Sequence, residues 1–269
     1  MLRLILFSAL LFLLSCTASG QNVNSKPSAG SDLKVMTYNI HAGNPPSKPK
    51  VIDIDAIINA IKAQKPDLVA LQEVDVNTAR SGKINEAEII ARKLGMNFFF
   101  AKAIDHDGGD YGIAILSKHP LSETKIHRLT TVAGTGGEPR VLATAKIHLK
   151  NGKFLRFGST HLDAQDKAVN RLVQIKEINQ IASKESLPFI IAGDLNAETE
   201  SEVIQNLDKV FTRTCQNCGP TFPVISPEKT IDFIAFRPAG AFKVISHTVV
   251  QEHYASDHLP VLALLQYDF

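Results

Sequence analysis

Tryptophan is absent from the chain, cysteine occurs three times in 269 residues, and no Lys/Arg run or solenoid-length repeat interrupts the sequence. Each lack narrows the reading. Without a basic run, and with a formal net charge of only +2, a broad electrostatic footprint for long nucleic acid is disfavoured, although a local patch built by folding stays open. Two of the cysteines, Cys215 and Cys218, form C-x-x-C in TCQNCGP; a zinc site needs two more ligands, and no neighbouring pair of Cys or His supplies them. For an exported chain the spacing favours a disulfide closing a surface loop, ahead of free thiols and then a redox role.

Long apolar runs are confined to the start. MLRLILFSALLFLLSC carries one Arg and then only apolar and small residues, too few to span a bilayer as a permanent helix, and reads as a signal peptide over residues 1–16. Its end, Leu13-Leu14-Ser15-Cys16, resembles the lipobox of bacterial lipoproteins, which implies an acylated Cys16; a plain secretory signal cut near Ala18-Ser19-Gly20 is the alternative. Residues 17–31, TASGQNVNSKPSAGS, are small and polar without apolar period and read as a flexible tether. Taking Arg3 away with the signal leaves 28 of the 29 basic side chains against 27 acidic ones. Residues 32–269 suit one large domain with an ample core.

Within that domain strand-like apolar runs alternate with amphipathic stretches. LKVMTYNI and DLVALQE read as strands flanking a helix whose stripe is Ile54, Ile57, Ile58 and Ile61, capped by Asp53. A second helix is expected near Asn85–Leu94 and a long one between Asp166 and Ala182, before the strand PFIIAGDLN. Strand runs without intervening helices occur in the middle of each half, so a purely parallel sheet is excluded, and two mixed sheets packed face to face with helices outside fit better.

Polar residues cluster at the ends of these strands: Asn39, Glu73, His161 with Asp163, Asp194 with Asn196, Asp232, and Asp257-His258. Singly, each has a bland explanation as a turn or structural residue; together they can converge on one rim, where open sheets bind ligands. Asp194 and Asn196, two apart, would share a face of an extended segment, whereas the adjacent Asp257 is poorly placed to orient His258, so a distant carboxylate is expected as its partner.

TYNIHAG, LQEV, YGIAILSKHP, STHLD, GDLNA, TIDFI and SDHLP, in that order, resemble the motif set of the endonuclease/exonuclease/phosphatase superfamily over essentially all of residues 33–268. The resemblance implies a four-layer α/β sandwich and in-line attack of water on phosphorus without a covalent enzyme intermediate. It also implies that Glu73 and Asn39 supply oxygen ligands to Mg²⁺ or Mn²⁺, with Asp257 on the same metal side directly or through water. Asp194 would position or deprotonate the water, Asn196 would hold the water or a phosphate oxygen, and His161 would donate to the phosphate. His258 would pair with Asp232 and act as base or as cationic stabiliser. Arg140 and Asp163 are expected on the substrate-binding side, Arg140 to reach a substrate phosphate or to form a surface salt bridge, and Asp163 to support that site or a turn. His41 is expected as rim structure, and His106, His119, His127, His148, His247 and His253 as solvated or capping residues. Ile113 stands where many relatives have Asn, which removes a polar contact and weakens any substrate assignment copied from them.

Fold does not choose among the superfamily's phosphoesters. The charge balance and expected lipid anchor favour a small or lipid-linked phosphodiester over nucleic acid, acted on by a monomer held at a membrane of the bacterial cell envelope. A nuclease and a catalytically dead binding module on the same fold are the alternatives.

Overall fold

The computed structural model describes residues 30–269, so the expected signal peptide, Cys16 and nearly all of the tether lie outside the described residues. The tether's last residue, Ser31, already belongs to the first strand. In chain order the strands are β1 (Ser31–Asn39), β2 (Leu68–Val76), β3 (Asn97–His106), β4 (Gly109–Ser117), β5 (Leu121–Leu129), β6 (Arg140–His148), β7 (Phe154–His161), β8 (Phe189–Asp194), β9 (Thr212–Arg213), β10 (Asp232–Arg237), β11 (Lys243–Val249) and β12 (Val261–Tyr267). The helices are α1 (Ile54–Gln64), α2 (Glu86–Leu94), α3 (Val169–Ser183) and α4 (Glu202–Leu207).

The strands form two six-stranded sheets, ordered β11-β12-β1-β2-β4-β3 and β5-β6-β7-β8-β10-β9. Each sheet contains one parallel pair, β1 with β2 and β7 with β8, and its other neighbours are antiparallel. The two parallel pairs are the ones joined through a helix, α1 and α3, because a parallel return needs a crossover while antiparallel neighbours need only a turn.

Alternation of side chains across the pleat builds the layers. In β1, Leu33 and Val35 enter the core between the sheets, where they meet Leu68, Ala70, Ala143, Phe157, Ile190 and Ile234. Met36 and Tyr38 face the other way, onto Ile57, Ile61 and Ile90 of α1 and α2. On the second sheet Phe189, Ile191 and Phe233 pack under Ile175 and Ile178 of α3 and Ile204 of α4. The result is helix, sheet, sheet, helix, the expected four-layer α/β sandwich. Asp53 caps α1 by accepting from Ala56 N at 3.0 Å, and its other oxygen accepts from Tyr254 Oη at 2.9 Å, tying the helix entry to the segment that carries His258. No helix among the described residues is long and apolar enough to cross a membrane.

Candidate active site

The two parallel pairs end at a common rim. Asn39 closes β1, His161 closes β7 and Asp194 closes β8; antiparallel β10 begins there, with Asp232 opposite Asp194 in register. Face-to-face packing carries Asn39 of one sheet to Asp194 of the other, Nδ2 to Oδ2 at 3.1 Å.

Glu73 joins them through a defect in its strand. The β2–β4 pairing skips between Leu71 and Val74, and Glu73 has φ of 55° inside the bulge, which turns its carboxylate out of the sheet so that Oε1 accepts from Asn39 Nδ2 at 3.0 Å. Two acidic oxygens thus face the Asn39 amide, and it answers with Nδ2, its Oδ1 accepting instead from His41 N at 3.1 Å. In this orientation the Asn39 amide is a donor bridging Glu73 and Asp194.

The partner of His258 is Asp232, Nδ1 to Oδ2 at 2.9 Å, with Asp194 Oδ2 lying 3.7 Å from His258 Nε2. All three side chains are buried. Burial opposes a charge on His258, but Asp232, then Asp194 and Asp257, outweigh it and push the imidazolium up to about 10. Asp194 is pushed up to about 7, first by burial and then by the Asp232 charge.

His161 has the opposite fate. Arg140 Nη1 lies 3.2 Å from its Nδ1, and since a guanidinium only donates, Nδ1 is the acceptor and the ring proton sits on Nε2. Burial first, then Arg140 and His258, hold His161 well below the ordinary histidine value, so it is a neutral donor with Nε2 3.5 Å from Asp194 Oδ2. Asn196 Nδ2, 3.0 Å from that same Nε2, is a donor facing a donor, and its hydrogen bond goes to Leu162 O, also at 3.0 Å.

Several expectations change in detail. Asn196 is not on an extended strand: β8 ends at Asp194, and Asn196 turns back with φ of 46°, its N donating to Asp194 Oδ1 at 2.8 Å. Arg140 is neither a surface residue nor aimed at open solvent; it is 5% exposed and acts on His161, with Glu138 at 3.4 Å. Asp163 is 1% exposed, and its carboxylate accepts from Gln165 N and Asn170 Nδ2, bracing the loop after β7. Asp257 sits partly exposed at the rim, 3.9 Å from His41 Nδ1. Of the histidines expected to be solvated, His119 is buried and His247 has a buried ring nitrogen.

Three neighbours went unread. Tyr111 lines a small pocket with Arg140 and His161 and feels the Glu73 charge; burial, then Glu73, raises its hydroxyl above the usual tyrosine range. Ser256 donates to Asn39 O at 2.7 Å and so pins the His258 segment to β1. Both lie inside quoted motifs, so the signal was present. Phe222, whose ring centroid is 4.8 Å from that of His258, lies in a stretch with no such signal. It also borders a cleft of about 480 Å³ shared with Gln165, Arg171, Asn196, Ser201 and Lys229, which opens beside the acidic cluster. A second hollow of about 430 Å³, bordered by Lys125, His127, Arg156 and Glu185, shares no residue with the rim.

The sequence profile of the Endonuclease/Exonuclease/phosphatase family matches residues 36–258, the whole span from β1 to His258. The chain belongs to that family. The uncharacterized protein YbhP of Escherichia coli (strain K12) is 26% identical to it over 246 residues, covering 86% of this chain and 95% of YbhP. Sphingomyelinase C of Bacillus cereus is 27% identical over 212 residues, which cover 66% of this chain and 61% of that protein. The crystal structure of an endonuclease/exonuclease/phosphatase family protein from Bacteroides thetaiotaomicron superposes with a TM-score of 0.75 at 18% identity, covering 89% of this chain and 99% of the other, a likeness of fold.

Proposed function

We propose that this chain is a divalent-cation-dependent phosphodiesterase that hydrolyses a small or lipid-linked phosphoester by in-line attack of water. The observation that carries the reading is the buried His258–Asp232 pair, 2.9 Å across, set against Asp194. A hard cation fits the donors: the rim brings the carboxylates of Glu73 and Asp194 to the Asn39 amide without a thiol. Asp194, Asp232 and His258 are close enough to form a potential ligand group, but His258 and Asp232 already satisfy one another. In this reading Glu73, half-buried and turned out by its bulge, and Asp257 hold Mg²⁺ or Mn²⁺, which would offset charge on the phosphoryl oxygens.

The chain's own groups divide the remaining work. Asp194, with a value near neutral pH, is matched to take a proton from the attacking water as its oxygen bonds to phosphorus and the ester oxygen departs. His258 is already protonated at neutral pH and so serves as a cationic donor to the phosphoryl group, not as the base. His161 presents a neutral Nε2–H to a phosphoryl oxygen, its tautomer held by Arg140. The likeness to sphingomyelinase C, the near-neutral charge and the lipobox-like Leu13–Cys16 support a lipid-linked substrate met at a membrane of the bacterial envelope.

Hydrolysis of bis-p-nitrophenyl phosphate with Mg²⁺ separates an enzyme from a binding module. A panel of sphingomyelin, phosphatidylinositol, single- and double-stranded DNA and inositol phosphates then separates substrates. Fastest turnover of a lipid or small phosphoester is expected; preferential cleavage of DNA would replace this reading with a nuclease, and no turnover of any would sink it.

A further inference from the structure

Away from the rim, the fold completes a ligand set that the sequence leaves short. Cys215 and Cys218 follow β9, and β11 brings His247 to them, so that a ring nitrogen and both sulfurs lie within 4.8 Å of one another. In the structure the cysteines are joined as a disulfide. The hydrogen bonds around His247 settle which nitrogen carries its proton. Thr214 Oγ1 donates to Ile234 O at 3.1 Å, because a carbonyl only accepts. The same hydroxyl lies 2.8 Å from His247 Nδ1, and with its own proton committed it accepts there, which puts the ring proton on Nδ1. Nε2 therefore carries the lone pair, and it is buried without a partner. An imidazole with one nitrogen hydrogen-bonded to a protein oxygen and the other without a partner, in a ring that brings a nitrogen within 4.8 Å of two sulfurs, is the arrangement of a histidine ligand to a soft or borderline cation.

We infer that Cys215, Cys218 and His247 form a redox-controlled site for one thiophilic cation such as Zn²⁺, closed in the disulfide form and opened by reduction. A dithiol reductant supplies two electrons and two protons to break the S–S bond; the cation then displaces both thiol protons and takes two thiolates and one imidazole, leaving a fourth position for water. The site is independent of the phosphoesterase reading and chemically unlike the rim, which has no thiol. It lies on the segment that leads to Asp232: Thr230 Oγ1 donates to the carbonyls of Cys218 and Gly219 at 3.3 and 3.0 Å.

The test uses the full folded chain with excess Mg²⁺ to occupy the oxygen site. Zn²⁺ is titrated against a chromophoric chelator before and after treatment with a dithiol, and Co²⁺ is used as a spectroscopic probe. Reduced protein should bind one equivalent more Zn²⁺ than oxidised protein and give thiolate-to-Co²⁺ charge-transfer bands. Cys215→Ser should abolish both. His247→Ala should weaken Zn²⁺ binding at least tenfold and alter the Co²⁺ bands, while the oxidised variant keeps the near-ultraviolet dichroism of the parent. No additional equivalent on reduction, unchanged affinity in His247→Ala, or loss of fold on reduction would each overturn the inference.

Discussion

The His258–Asp232 bond lets two neighbouring acids be told apart by experiment. Asp232→Asn keeps a hydrogen-bonding group beside Nδ1 but removes the charge that holds the imidazolium, so kcat/KM at saturating Mg²⁺ should fall by roughly a thousandfold. His258→Ala should cost at least as much, and the double variant little more than His258→Ala alone, since groups acting as a unit are non-additive. Asp257→Asn should chiefly raise the Mg²⁺ concentration required. A near-normal Asp232→Asn would return the histidine to its sequence neighbour. The pH dependence carries the same assignment. His258 lies above the ordinary 6.5, so its charged form persists until about pH 10, and activity should fall on the alkaline side only as that limit is approached. In Asp232→Asn that limb should move to lower pH. Stability follows the same sign: the pair's contribution is whole below pH 6.5 and is lost as pH rises toward 10. Thermal melts of parent and Asp232→Asn across that window would check it.

Single elements hold the site through close backbone contact. Gly193 precedes Asp194, and a Cβ there would sit 2.1 Å from Thr160 O on β7. Backbone on that side cannot yield as a flexible side chain would, so Gly193→Ala should force β8 away from β7, destabilise the fold by about 1–3 kcal/mol and displace Asp194. Chemical denaturation paired with kcat measurement checks this; an unchanged kcat in a folded variant would show that the strand spacing is not what positions Asp194. The β2 bulge acts similarly for Glu73. Its carboxylate reaches Asn39 only because the strand breaks register, so Glu73→Ala should raise the Mg²⁺ concentration needed for half-maximal activity while leaving the β2–β4 pairing intact.

For the molecule as a whole, the fold separates chemistry from location. The described domain starts at Gly30, and the lipobox-like Cys16 lies well before it. If Cys16 carries the proposed anchor, Cys16→Ser should move the protein from the membrane fraction to the soluble fraction without altering turnover of a water-soluble diester, since Cys16 lies outside the domain that holds the rim. An intact mass showing an unmodified mature N-terminus beyond Cys16 would refute the anchor. Chelation should abolish turnover and Mg²⁺ or Mn²⁺ restore it, because the rim's donors are oxygens; full turnover in excess chelator would remove the metal from the reading.

The sequence by itself determined the layers and the chemistry on offer. Periodicity reports burial residue by residue, so Ile54, Ile57, Ile58 and Ile61 declare a helix face, and GDLN and SDHLP declare acids and a histidine next to strands. Which of those groups touch was decided only by tertiary structure. His258 meets Asp232 across 26 residues and approaches Asn39 across 219, contacts set by sheet register and by the packing of one sheet on the other. Nothing in LQEV demands the bulge that turns Glu73 outward, and nothing near TCQNCGP announces His247. The Asn39 amide could not be oriented until Glu73 and Asp194 were in place around it. Local pattern records what each residue prefers to bury; the electrostatics of a site depend on distances between segments that are far apart in the chain.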